Sequence, residues 1–172
     1  RENGNFSGGN NMKKQLFLLL IAVLLFIQIV AFPFALLFGG LAEIISTRRM
    51  LFAGIGVYCL ATFMAFLLPV IGDPLHKTIT FWCIAFLVAS SMGGIQALSR
   101  SYYGKLIPAE KSAEFFGFYN VFGKFAAISG PLLMGLVGRL TGETRWGILS
   151  ILLLFAVGGV LLGRVQDTAG QE

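Results

Sequence analysis

LFLLLIAVLLFIQIVAFPFALLFGGLAEII, residues 16–45, is a run of thirty residues with one ionisable side chain, Glu43. A helix needs about 20 predominantly apolar residues to cross the hydrocarbon core of a bilayer. Four more runs of that kind follow, at Met50–Ile71, Ile79–Leu98, Phe115–Leu140 and Trp146–Leu162. Segments apolar all round at this length have no wet face to offer a soluble fold. Inside lipid, only a helix or a closed barrel pairs every backbone donor and acceptor. The alternating stretches of about ten residues that barrel strands require are absent. The pattern specifies an all-α polytopic membrane protein with five transmembrane helices, at 16–45, 50–71, 79–98, 115–140 and 146–164. They lie between a polar lead-in at 1–15 and a polar tail at 166–172.

Composition requires the same solvent. Over 172 residues, 56% are hydrophobic and 12% charged, with a mean hydropathy of +0.82, so polar side chains cannot cover the apolar surface in water. The net charge of +5 is scattered between apolar runs and forms no continuous basic face, which argues against a nucleic-acid partner. Cys59 and Cys83 each sit inside an apolar run, without the spacing of a metal site or a disulfide framework.

The links between runs are short and rich in turn residues: Ser46 to Arg49, Gly72-Asp73-Pro74 with His76 and Lys77, and Thr141 to Arg145. Consecutive helices are therefore expected to run antiparallel as neighbours. The link between the third and fourth spans is longer and carries Arg100, Lys105, Glu110, Lys111 and Glu114. Pro33 predicts a kink or local break in the first span. Basic residues outside the spans divide evenly between the two sides, so charge bias does not orient the bundle unless the lead-in is discounted. The lead-in, RENGNFSGGNNMKKQ, reads as a loop remnant of a chain that starts mid-protein. A signal peptide beginning at Met12 is disfavoured by the length of the apolar run and the lack of a small-x-small cleavage site. Asn5-Phe6-Ser7 fits a glycosylation acceptor, a pattern short enough to arise by chance.

Small residues recur at four-residue spacing: Ala31, Ala35 and Gly39; Ala89 with Gly93; Ser90 with Gly94; Ala126 with Gly130; Gly159 with Gly163. Such sets lie on one helix face and let backbones approach where lipid supplies no hydrophobic drive. Ala35, Gly39, Gly130, Gly159 and Gly163 are thus expected at helix crossings. Polar residues in the spans carry a different message. Gln28, Glu43, Gln96, Asn120 and Lys124 lie within or at the ends of the runs. A charged group at a span's centre costs about 2.5 to 3.5 kcal/mol on insertion scales, so such groups need partners or water. Gly117, Asn120 and Lys124 share one helix face by their spacing, and Lys124 lies roughly 13 Å along the helix from Phe115. Lys124, Asn120, Gln96 and Gln28 are accordingly candidates to line an aqueous cavity. The alternative for Lys124 is a side chain that snorkels to the phosphates.

Nothing in the sequence favours an enzyme. His76 is the only histidine, neither GxSxG nor HExxH occurs, and no pair of carboxylates falls within a span. Gly117 to Lys124 has one residue too many for a phosphate loop, and Phe125 stands where Ser or Thr is required. No cofactor is expected.

Two stretches carry a resemblance. Gly39 to Arg49 resembles the G-x-L-a-D-r-x-G-r-k loop of the major facilitator superfamily, matching at Gly39, Leu41, Ala42 and Arg48 and conservatively at Glu43. It departs at Ile44, where the pattern has arginine, and at Ser46, where it has glycine. GGIQALSRSYYGKLIPAEKSAEFFGFYNVFGKFAAISGPLLMGLV, residues 93–137, is similar to the helix 10 to helix 11 region of the branch that holds the vacuolar amino-acid effluxers and their bacterial relatives. The resemblance implies that the five spans are helices 8 to 12 of a twelve-helix carrier, most of one six-helix bundle, with residues 46–49 on the cytoplasmic side. It further implies a secondary transporter of small organic solutes, amino acids among them, working by alternating access in a bacterial inner membrane. Its partners would be the bilayer, a small-molecule solute, an N-terminal bundle of the same protein, and protons or sodium. Glu43, Arg48 and Arg100 are the candidate cytoplasmic gate, by analogy with the family's loop carboxylate. The competing reading from residues alone is a non-transporting five-span scaffold or assembly protein.

Overall fold

A computed structural model describes residues 5–165. It contains α1 (Asn5–Ile45), α2 (Thr47–Leu67), a 3₁₀ turn (Leu68–Val70), α3 (Pro74–Leu106), a second 3₁₀ turn (Ala109–Lys111), α4 (Ser112–Thr141) and α5 (Thr144–Arg164), with no strand among the described residues. All five helices are long and apolar enough to cross a membrane. Their outer faces show why lipid must surround them: Phe32, Leu36, Phe122 and Leu132 are among many large apolar side chains left uncovered. The chain is an all-α multi-pass membrane protein.

Sequence chemistry sets the helix ends. Asp73 caps α3, its carboxylate accepting from the backbone N–H of Leu75 at 3.1 Å and pairing with the imidazole of His76, and Pro74 occupies the first turn, where no N–H is needed. Gly142 closes α4 in the left-handed conformation at φ 73°, which glycine adopts without steric cost. Ser46 joins α1 to α2 at φ 120°, and is the sole non-glycine residue with positive φ among those described. This is the position where the major facilitator pattern has glycine.

Several boundaries differ from those the residues suggest. α1 continues back through 5–15, so the polar lead-in is helical where described; once a long apolar helix is nucleated, adding residues to its end carries no fresh nucleation cost. It also runs unbroken through Pro33. α3 begins five residues before Ile79 and extends eight beyond Leu98. Thr78 and Thr80 assist at its start by donating to the carbonyls of Pro74 and His76 at 2.9 and 2.8 Å. Arg100 and Lys105 consequently stand on α3, and the long link shrinks to Ile107–Lys111. Residues 1–4 and the tail 166–172 lie outside the described residues.

Packing follows small residues more than chain order. α1 is joined to α2 by a single residue, yet its main neighbour is α3. Gly93 comes against the backbone carbonyl of Ala31, with Ala35 beside it, and Gly94 against the ring of Phe38. Edge-to-face pairs flank this crossing, Phe26 with Trp82 at 5.2 Å and Phe34 with Phe86 at 5.7 Å. On its other side α3 meets α2, where Gly54 receives the side chain of Ile95. Tyr58 stacks on Phe155 at 5.5 Å to join α2 to α5, and Gly147 brings α5 against the carbonyl of Met134 on α4. The order in space is therefore α1, α3, α2, α5, α4.

Gly159 and Gly163 face Phe52 of α2 with room to spare, since a Cβ at either would lie 4.0 or 3.8 Å from its ring, an ordinary contact distance. Gly39 and Gly130 are different. A Cβ at either would have nothing within 4 Å, so in this chain their smallness admits no neighbour.

Candidate functional site

The buried core sits at one end of the bundle. Ala42, Met50, Leu51, Leu98 and Tyr102 form its centre, with Phe38, Ile95, Leu106, Leu162 and Val165 packed around them. Four helices are thereby tied at the end where α1 meets α2. Arg48 adds a polar tie by donating from its guanidinium to the carbonyl of Gly163, across α2 and α5. At this same end α4 reaches α3. Tyr103 donates to the carbonyl of Phe115 at 3.1 Å, Ser99 and Tyr119 share a hydrogen bond at 3.2 Å, and Arg100 lies over the Phe116 ring at 5.6 Å from its centroid. The rings of Tyr103, Phe116 and Tyr119 complete the contact, with centroids 5.0 to 6.2 Å apart.

Away from that joint α4 rests on α5 alone among the helices it packs against extensively, and none of its residues is buried. Its free surface is nevertheless divided. Phe118, Val121, Phe122, Phe125, Ile128 and Leu132 fall on one broad face, each at least half exposed, as a lipid-facing surface should be. Gly117, Asn120, Lys124, Ala127 and Pro131 form a neighbouring stripe by their three- and four-residue spacing, between the lipid face and the α5 contact. It carries small and polar side chains only. Gln96 stands on the face of α3 that presents Ser99 and Tyr103 to α4, one and two turns deeper than those residues. Gln28, on α1 one turn before Ala31, is exposed as well.

The structure brings some sequence candidates together and leaves others apart. Asn120 and Lys124 share their stripe, and Gln96 belongs to the α3 face that meets α4 through Phe115 and Tyr119. No side-chain hydrogen bond or ion pair joins Gln28, Gln96, Asn120 or Lys124 to another described residue, and the backbone carbonyl of Gln96 accepts from the Ser99 hydroxyl at 3.2 Å. Glu43 is exposed and makes no ion pair with Arg48 or Arg100 among the described residues. Arg100 is instead engaged with an aromatic ring, because the extension of α3 carries it alongside the start of α4. The aromatic joint, Ser91 and the close approaches at Gly54 and Gly147 escaped the sequence reading. Tyr103 and Tyr119 flank the charged link and were its available signal; Gly54 and Gly147 lack small partners at four-residue spacing and gave none.

Residues 10–172 match the family described as Vacuole effluxer Atg22 like. The chain is 44% identical over 153 residues to the "Uncharacterized MFS-type transporter YxiO" of Bacillus subtilis (strain 168), covering 89% of this chain and 34% of that protein. It is 42% identical over 67 residues to the "Autophagy-related protein 22" of Vanderwaltozyma polyspora, covering 39% of this chain and 12% of that protein. The Coccidioides immitis protein of the same name is 31% identical over 116 residues, 65% of this chain and 19% of its own length. No solved structure matches the chain. The chain thus spans about a third of the length of the Bacillus relative, and less of the fungal ones.

Five packed membrane-crossing helices with these relatives define a transporter-type membrane protein of the major facilitator class. Within that class, the chain belongs to the vacuole effluxer Atg22-like family.

Proposed function

We propose that the chain forms helices 8 to 12 of a twelve-helix secondary transporter that moves small organic solutes by alternating access, with no enzymatic step. Efflux is the favoured direction, suggested by the family description, and amino acids are the favoured solutes, on the resemblance carried by residues 93–137. The observation that carries the reading is the stripe on α4, where Asn120 and Lys124 stand in a membrane span, apart from the phenylalanine face. An uncompensated ammonium in hydrocarbon is costly, and a water-filled cavity removes that cost. Lys124 and Asn120 would bind the solute's polar groups, with Gln96 and Gln28 lining the approach from α3 and α1.

The cytoplasmic gate is assigned to the end where α3 meets α4. Glu43, Arg48 and Arg100 would exchange partners as one bundle rocks against an N-terminal one, Arg100 leaving the Phe116 ring for a carboxylate in the alternate state. A gradient of the solute, or of protons or sodium, would drive the cycle. The bacterial inner membrane is the proposed location, by similarity to the Bacillus relative.

Reconstituting the full-length transporter in vesicles tests this. Lys124→Ala should lower solute flux at least tenfold while insertion and thermal midpoint stay within error of the parent. Undiminished flux would remove Lys124 from the pathway. Distance labels on α3 and the N-terminal bundle test the gate: Glu43→Gln and Arg100→Gln should each shift the balance of inward- and outward-open states. Unchanged populations in both would eliminate it.

A further inference from the structure

Where α1 hands over to α2, a cavity of about 480 Å³ is lined by Ile45, Ser46, Arg48, Arg49 and Phe52. Its chemistry is split between grease and charge. Ile45 and Phe52 are 42% and 39% exposed, a large apolar surface for two residues beside a pocket. Arg48 and Arg49 supply two guanidiniums. The end of α5 lies against the same place, for Arg48 donates to the carbonyl of Gly163 and the Phe52 ring approaches that glycine. Arg164, the next residue, is exposed in the last turn of α5.

Arg48 and Arg49 line this interhelical corner, and Arg164 follows in the chain the glycine whose carbonyl Arg48 holds. Neither Arg49 nor Arg164 has an acidic partner among the described residues. Glu43, six residues before Arg49, is two residues before Ile45 and so about 200° round α1 from it, and Asp167, three residues after Arg164, lies outside the described residues. Depth identifies what the corner meets. Ile45, Thr47 and Arg164 are end residues of membrane-crossing helices, which places the cavity at headgroup level. A phosphate matches the guanidinium fork geometrically, and an apolar floor beside it matches an acyl chain. Basic pockets between helices at a membrane surface take anionic headgroups for these reasons.

We propose that this pocket binds an anionic phospholipid, its phosphate held by Arg49 and Arg164 and its first acyl segment laid along Phe52 and Ile45. Arg48, engaged with Gly163, fixes α2 against α5 and sets the width of the site. The bound lipid would bridge α2 and α5 where each emerges from the membrane. This assignment stands whether or not the transport reading does.

Native mass spectrometry of the purified full-length protein, titrated in mild detergent with phosphatidylglycerol or phosphatidylcholine of equal chain length, tests it. Phosphatidylglycerol should be retained at least threefold over phosphatidylcholine. Arg49→Gln with Arg164→Gln should abolish that preference, and Arg49→Lys with Arg164→Lys should keep most of it, which also shows that the corner still folds. Equal retention of the two lipids by the parent protein, or an undiminished preference in the glutamine variant, would overturn the proposal. Loss of the phosphatidylglycerol adducts on adding millimolar inorganic phosphate at constant ionic strength would overturn it in favour of a soluble-anion site.

Discussion

α3 and α4 are both about thirty residues long, both rich in glycine and serine, and both able to cross a membrane. α3 nonetheless buries Ala85, Ala89, Ser90, Ser91, Gly94, Leu98 and Tyr102, whereas α4 buries nothing. The difference lies in what stands opposite the small residues. Gly93 and Gly94 face a carbonyl and a ring on α1, so the absence of a side chain is filled by a neighbour. Gly117, Gly123 and Gly135 on α4 face open space. Small residues in a membrane span thus have two uses, close approach of backbones and room for something that is not a helix. Composition cannot separate the two; the facing surface does.

Alanine substitution at one glycine in each helix separates them most sharply. Gly93→Ala would press a Cβ on the Ala31 carbonyl, which has no rotamer by which to retreat, and should cost about 3 kcal/mol, the upper end of overpacking penalties. Gly123→Ala meets nothing and should stabilise by up to about 1 kcal/mol through helix propensity. Thermal midpoints of the full-length protein in detergent should move in opposite directions. A destabilised Gly123→Ala would show that α4 has a close neighbour contributed by chain outside these residues.

The joint between the two helices comes next in size. Tyr103→Phe deletes the donor to the Phe115 carbonyl and leaves the aromatic cluster, so it should cost about 1 kcal/mol. Its signature should be local: faster amide exchange at the start of α4, with the α1–α3 crossing unchanged. Uniform loosening would mean that the joint holds the whole bundle.

The membrane character and the five spans were legible because each apolar run exceeds what a soluble helix can bury. The crossing at Ala31, Ala35, Gly93 and Gly94 was legible because both helices carry small residues in register. Gly39 and Gly130 satisfied the same spacing without a partner, and spacing alone contains no information about the opposing helix. The extension of α3 through Arg100 and Lys105 was hidden by charge, since a helix leaving the membrane becomes polar without ceasing to be a helix. Asn120 and Lys124 were conspicuous as polar residues in apolar runs and their spacing sets them apart from the phenylalanine face, but what flanks their stripe on its other side required knowing where α5 packs. Ser46 shows what a motif's departure can mean. The pattern's glycine falls where the backbone has φ 120°, a region costing a side chain about 1 to 3 kcal/mol. Ser46→Gly should therefore stabilise the α1–α2 junction by about 1 kcal/mol, read as a higher thermal midpoint.

The smallest expected effect again contrasts α3 with α4, through a hydroxyl on each. Ser129 on α4 donates to the carbonyl of Phe125 at 2.9 Å, one turn back along its own helix. Ser91 on α3 is fully buried, and its hydroxyl has no partner among the described residues. Removing an unsatisfied buried hydroxyl relieves a desolvation penalty, while removing a satisfied one on an open helix changes little. Ser91→Ala should thus raise stability by about 1 kcal/mol, and Ser129→Ala should leave it within about 0.5 kcal/mol of the parent. A loss of stability at Ser91 would instead mean that the hydroxyl is paired in the full-length protein. Because α3 packs on both sides, that partner would have to be a water trapped between α3 and its neighbours, and α3 would then share the polar character that distinguishes α4.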